Sequence, residues 1–162
     1  MEKLHADKIS EWVQGKLDGD AKACADKAAT DTRTMEAGSL YFAIRGERFD
    51  GHQFIEKAFE KGASIVVSEI SYSPPPGCAV IIVKDTVKAL GDLARRYLEA
   101  FPVPVVGITG STGKTSTKDM IAQLLSTQYV VHKTMGNFNN HIGLPLSVLS
   151  LTRNHTAAVF WV

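Results

Sequence analysis

The sequence predicts an α/β protein with a mainly parallel sheet, and three observations predict it. From about residue 40 onward, short apolar runs of strand length alternate with stretches of helical periodicity, the pattern of strands joined by crossover helices. A glycine-rich turn, Gly107-Ile-Thr-Gly-Ser-Thr-Gly-Lys-Thr115, follows an apolar run and opens a helical one. Pro102 and Pro104 break the chain just ahead of it, because proline cannot continue a helix. The expected organisation is therefore two α/β parts, 1–101 and 102–162, the second being the beginning of a parallel-sheet domain built around a phosphate loop.

Ile9, Trp12, Val13 and Leu17 stand at helical spacing and predict a helix over 4–17. A polar stretch containing Thr30-Asp-Thr-Arg33 follows, then a strand over 40–44 stopped by Gly46. Phe54, Ile55, Ala58 and Phe59 mark one face of a helix ending at Gly62, a usual C-terminal glycine. Residues 64–68 and 79–83 read as strands, separated by the stiff turn Pro74-Pro-Pro-Gly77. Leu90, Leu93, Ala94, Tyr97, Leu98 and Phe101 give the apolar stripe of a helix over about 86–100. Beyond the prolines, 103–109 is a strand, and 113–126 a helix with Met120, Ile121, Leu124 and Leu125 on one side. A strand over 129–132, a loop carrying Gly136-Asn-Phe-Asn-Asn140, a helix over 142–149 and an apolar strand over 157–162 complete the chain. Trp12, Tyr97 and Phe101 are expected in the core.

Composition excludes several classes. The 18 basic and 17 acidic side chains are scattered and leave a net charge of +1, which argues against a nucleic-acid surface or a polybasic membrane patch. No apolar run reaches the roughly 18 residues that membrane insertion requires, and Met1-Glu-Lys-Leu-His-Ala-Asp7 lacks the apolar core of a secretory signal. Cys24 and Cys78 are expected as free thiols, and the five histidines form no zinc-type cluster. The expectation is a cytoplasmic monomer.

The glycine-rich turn carries the chemistry. The usual pattern has a glycine five residues before Gly-Lys; here that place holds Ile108, and Gly107, Gly110 and Gly113 recur at intervals of three. Glycines allow successive N–H groups to point at one anion, and the following helix adds its positive end. Thr109, Gly110, Ser111, Thr112 and Gly113 would line a nucleotide phosphate, Lys114 would reach its β- and γ-phosphates, and the Thr115 hydroxyl would coordinate Mg²⁺. A plain strand-to-helix turn would explain the glycines, but not Lys114-Thr115 at the helix start.

The segment Val106-Gly-Ile-Thr-Gly-Ser-Thr-Gly-Lys-Thr-Ser-Thr-Lys-Asp119 resembles the ATP loop of the Mur ligases. Asp31-Thr-Arg33, Gly38-Ser-Leu-Tyr-Phe42 and Gly46-Glu-Arg-Phe-Asp-Gly-His52 resemble the uridine-nucleotide domain of that family, and Gly136-Asn-Phe-Asn-Asn-His-Ile-Gly-Leu-Pro145 its asparagine-rich loop. Thr-Lys-Asp119, Ser111-Thr112 and the segment 46–52 resemble the branch that adds D-alanyl-D-alanine to UDP-N-acetylmuramoyl-tripeptide. The diaminopimelate- or lysine-adding branch is the alternative within the family. The resemblance implies ATP and Mg²⁺, an acyl phosphate on the tripeptide, and attack on it by the dipeptide amine in peptidoglycan precursor synthesis. It also implies that Lys114 is catalytic and that Thr32, Arg33, Gly46, Arg48, Asp50, Gly51, His52, Asn137, Asn139 and Asn140 contact substrate.

Plainer readings stand beside these. Asp31-Thr-Arg33, where the family more often has Asp-Ser-Arg, would equally make a loop ion pair. Asp50 would cap a helix and Gly51 permit its bend, and the asparagines would satisfy loop backbone groups. Trp161 stands where the family usually has a metal-binding glutamate. With that departure, and with the remainder of the ATPase domain and a closing C-terminal domain expected to be missing, the chain is expected to be a fragment not competent alone. A non-catalytic uridine-nucleotide-binding module is the rival reading.

Overall fold

A computed structural model describes residues 1–46, 49–134 and 140–161. The chain divides into two compact units, Met1–Leu93 and Ala94–Val162. Arg48, Asn137 and Asn139 lie outside the described residues. The division falls within the helix predicted over 86–100 rather than at the prolines that follow it.

The first unit opens with β1 (Leu4–His5), α1 (Ala6–Val13), β2 (Lys16–Gly19), β3 (Cys24–Ala25), β4 (Lys27–Ala29) and β5 (Ser39–Phe42). A 3₁₀ turn (Gly51–Phe54) runs into α2 (Ile55–Glu60), followed by β6 (Ile65–Ser68), β7 (Ala79–Ile82) and the first turns of α3 (Thr86–Ala100). Five strands pair in the order β2-β7-β6-β5-β4. β4 to β7 are parallel, and β2 lies antiparallel on the edge of β7. The inner strands are covered on both faces, which is why Leu40-Tyr-Phe42, Ile65-Val-Val67 and Ala79-Val-Ile81 are apolar without alternation and no more than 1% exposed.

The helix predicted over 4–17 is cut short. Gln14 takes a left-handed conformation (φ 53°) and α1 ends at Val13. At Gly15 an added Cβ would lie 2.5 Å from the Ile81 side chain, so the chain crosses β7 at a distance that glycine alone allows. Leu17, expected on the helix face, pairs instead with Ile81 in β2. Ile9 and Val13 are buried, but Trp12 is only half-buried, with the Lys8 ammonium 5.4 Å from its ring centre.

The second unit holds the end of α3, then β8 (Val105–Ile108), α4 (Lys114–Leu125), β9 (Val131–Lys133), α5 (Gly143–Leu149) and β10 (Ala157–Trp161). Its sheet is parallel in the order β8-β10-β9, so the last strand is the central one. Tyr97 is buried and donates from its hydroxyl to the Leu151 carbonyl at 2.7 Å, whereas Phe101 is half-buried. α4 departs from its predicted face. Ala122 packs with Ile108 and Val159, supported by Ile121 and Leu125, while Met120 and Leu124 are 65% and 70% exposed. The inward stripe is 118, 121, 122 and 125, and at 3.6 residues per turn positions 120 and 124 fall on the far side. Among the described residues no helix is long and apolar enough to cross a membrane.

Candidate nucleotide and substrate sites

In the second unit, the turn 109–113 leaves the carboxyl end of β8 and enters α4 at Lys114. Gly110 (φ 146°) and Gly113 (φ 74°) hold conformations that L side chains rarely adopt. Apart from its chain neighbours, no heavy atom of the described residues lies within 4 Å of a Cβ built on Gly113, so its requirement is conformational rather than steric. The backbone N–H and the hydroxyl of Thr117 both donate to the Gly113 carbonyl at 2.9 Å, locking the first turn of α4. Lys114 folds back over the loop. Its ammonium donates to the Gly110 carbonyl and stands 5.3 Å from the Trp161 ring centre. Thr109 to Gly113 and Thr115 are exposed, and residues 111–116 with Trp161 line an open cavity of about 310 Å³. Trp161 reaches it because it pairs in register with Ile108.

Sequence reasoning missed one residue here. Lys118, one turn beyond Lys114, is 4% exposed and donates to the Thr134 carbonyl at 3.0 Å. Thr134, itself fully buried, donates its N–H to the Val159 carbonyl at 3.1 Å and accepts the Trp161 N–H on its hydroxyl at 3.2 Å. Lys118 thus ties the helix bearing Lys114 to both neighbouring strands. Its signal was the Thr-Lys-Asp run, but a lysine inside a helix reads as solvated. Next to it, the Lys133 ammonium bonds Asp119 at 2.8 Å and lowers its carboxyl pKa, helped by the charges of Lys118 and Lys133. Asn140 accepts the N–H groups of Ile142 (3.1 Å) and Gly143 (2.7 Å) on Oδ1, at the start of α5.

In the first unit, three separated segments converge on a cavity of about 410 Å³. Thr30 to Arg33 and Lys57 form its polar lining, and Tyr41, Ile44, Phe49 and Phe54 its apolar one. It opens beyond the carboxyl ends of β4 and β5, where open parallel sheets bind ligands. The Arg33 guanidinium grips Asp31 through Nε (3.0 Å to each oxygen) and Nη2 (2.6 Å), yet its side chain is 84% exposed. Thr32 is buried, and its carbonyl accepts from the Lys61 ammonium at 2.7 Å.

These bonds hold the Asp31 carboxyl down at about 2 from its ordinary 3.8, chiefly through the Arg33 side chain and then its backbone N–H. A depressed carboxyl contributes above its unfolded value and stops contributing as pH falls through the folded one. The pair should therefore persist at pH 4 and open near pH 2. A carboxyl ¹³C titration of Asp31 with its midpoint near 3.8 would show that the grip does not exist.

Of the predicted residues in this segment, Gly51 lines the cavity, whereas Gly46, Asp50 and His52 stand behind the lining and brace the loop that bears Phe49. The Gly46 N–H donates to the Phe49 carbonyl at 2.8 Å, and Arg45 bridges to Asp50 across the same tight loop. Asp50 caps the 3₁₀ turn, accepting the His52 N–H at 3.0 Å and its Nδ1 at 2.6 Å on one oxygen and Arg45 Nε at 3.2 Å on the other. The His52 backbone and side-chain bonds lower the Asp50 pKa. His52 is buried, and its Nε2 accepts the Glu69 N–H at 3.0 Å. Both ring nitrogens are thus committed inside the protein, Nδ1 as donor and Nε2 as acceptor. Glu69 in turn accepts the N–H and hydroxyl of Thr86 at the start of α3. A Cβ at Gly51 would lie 2.7 Å from the Ile44 backbone. The Gly51 carbonyl accepts the Tyr41 hydroxyl at 3.1 Å, and burial pushes that phenol up to about 12, so it remains a donor.

Comparison with known proteins agrees with this geometry. Residues 28–98 match the family model described as Mur ligase family, catalytic domain, and residues 108–162 the one described as Mur ligase middle domain. The chain is 51% identical over 154 residues to the UDP-N-acetylmuramoyl-tripeptide–D-alanyl-D-alanine ligase of Bacillus subtilis, covering 93% of this chain and 34% of that one. It is 40% identical over 153 residues to the Escherichia coli ligase of the same name, covering 93% and 33%. A crystal structure of MurF from Acinetobacter baumannii superposes with a TM-score of 0.91 at 32% identity, covering all of this chain and 36% of that one. The MurF ligase of Thermotoga maritima in complex with ADP superposes at 0.74 with 36% identity, covering 83% and 31%. The chain belongs to the Mur ligase family. Within it, these similarities are to ligases that add D-alanyl-D-alanine, and the chain spans about a third of the length of the curated relatives it matches.

Proposed function

We propose that this chain carries the uridine-nucleotide site and the phosphate loop of an ATP-dependent ligase that joins D-alanyl-D-alanine to UDP-N-acetylmuramoyl-tripeptide in the cytoplasm. The observation that carries the reading is the loop 109–115, held open by two positive-φ glycines between a parallel strand and a helix that begins at Lys114. A carboxylate is a poor electrophile. Its oxygen must first take a phosphoryl group, so that phosphate can leave when the dipeptide amine attacks and the amide forms. Such chemistry needs positioning and neutralisation of phosphate charge.

The residues present fit a nucleotide phosphate. The loop is exposed, and Lys114 rests on a loop carbonyl that a phosphate oxygen would replace. The loop N–H groups would orient the phosphates, and Thr115 would offer its hydroxyl to Mg²⁺, which adds charge neutralisation when bound. In the first unit, Arg33 and Lys57 face the cavity that would take the uridine nucleotide.

One observation favours a binding module instead: among the described residues, the lining of the loop cavity contains Trp161 and no carboxylate. Calorimetry on the full chain separates the readings. Titration with UDP-N-acetylmuramoyl-tripeptide and, separately, with Mg·ADP should give one site for each ligand. Binding of the peptide alone would favour the module, and binding of neither would end both readings.

A further inference from the structure

We propose that Phe49 is the base-stacking residue of the first unit's cavity, the platform on which the uracil ring of the substrate lies; this rests on the uridine-nucleotide reading above. Phe49 is 75% exposed, the most exposed large apolar side chain among the described residues, yet it lines a cavity. An aromatic ring left in water next to a pocket has an unused apolar face, and a nucleobase presents a matching one.

The backbone that carries the ring is anchored at Phe49 itself. The Phe49 backbone carbonyl accepts the Gly46 N–H, the flanking Arg45 and Asp50 bridge to each other, and the Asp50 carboxylate is anchored by His52. Ile44 and Phe54 extend the same apolar lining. The polar lining carries the Arg33 guanidinium and Lys57. An apolar wall and a polar wall carrying Lys57 and the Asp31–Arg33 pair within one cavity suit a ligand with a planar ring joined to phosphates. The muramoyl sugar also has an apolar face, so the test must tell base from sugar.

The full chain and its Phe49→Ala, Phe49→Leu and Phe49→Tyr variants are titrated with UDP, and with ribose 5-phosphate and N-acetylmuramic acid as probes lacking the base. Phe49→Ala should weaken UDP binding roughly tenfold or more, Phe49→Leu should recover little, and Phe49→Tyr should restore it. Neither base-free probe should distinguish the wild type from Phe49→Ala. Melting temperatures should agree, because an exposed ring contributes little to the fold. Unchanged UDP binding by Phe49→Ala, equal loss for N-acetylmuramic acid or ribose 5-phosphate, or full recovery by leucine each overturns the proposal. Failure of the wild type itself to bind UDP overturns the cavity reading, and the proposal with it.

Discussion

Lys114→Ala is expected to weaken Mg·ADP binding by the full chain about a hundredfold, the loss of one or two charge-assisted hydrogen bonds to phosphate. In the structure the Lys114 ammonium bonds a single loop carbonyl and rests over the Trp161 ring. It is therefore available to an incoming anion, and removing it leaves no buried group without a partner. The fold should melt as before, so weaker binding would report on the phosphate contact itself. Lys114→Arg should not rescue it, because the planar guanidinium is not a substitute for a compact ammonium in a loop this tight. An unchanged dissociation constant for Lys114→Ala in calorimetry would refute the assignment of the loop.

His52→Ala should act on stability first. The ring links the Asp50 carboxylate to the Glu69 N–H, and 4% of its side chain is exposed. Truncation leaves a cavity, an unsatisfied backbone donor and a carboxylate without its strongest side-chain partner, together costing about 3 kcal/mol. Urea denaturation should show the first unit losing that stability. UDP binding should fall as well, because the loop bearing Phe49 loses its anchor. Stability within about 0.5 kcal/mol of wild type would show that the buried network carries little. The comparison with Phe49→Ala is informative: one variant should affect both fold and binding, the other binding alone.

The same residue illustrates how far the sequence could be read. His52 belongs to a segment that resembles a substrate loop, and the structure does place that loop at the cavity. Its ring, however, turns inward to the Glu69 backbone, seventeen residues away in sequence. Local pattern identifies the segment, while the direction of a side chain depends on what packs behind it. Asp50 was legible as a cap, which the structure shows at the start of the 3₁₀ turn. Lys118 was not, because a buried ammonium is recognisable only once the Thr134 carbonyl is known to lie beside it.

By itself the sequence determined whatever depends on neighbours along the chain. The helix expected over about 86–100 is Thr86–Ala100, the buried strands at 65–68 and 79–82 fall inside their apolar runs, and the glycine-rich loop sits between strand and helix. Periodicity and glycine placement act within a few residues, so they survive without tertiary information. Only the tertiary structure decided that α1 stops at Val13 so that Leu17 can pair with β7, and that the short segments 24–25 and 27–29 are strands. It alone put the last strand at the centre of its sheet, bringing Trp161 beside Lys114, and turned Met120 and Leu124 outward. Each of these outcomes rests on hydrogen bonds and packing between residues far apart in sequence, which no local pattern encodes.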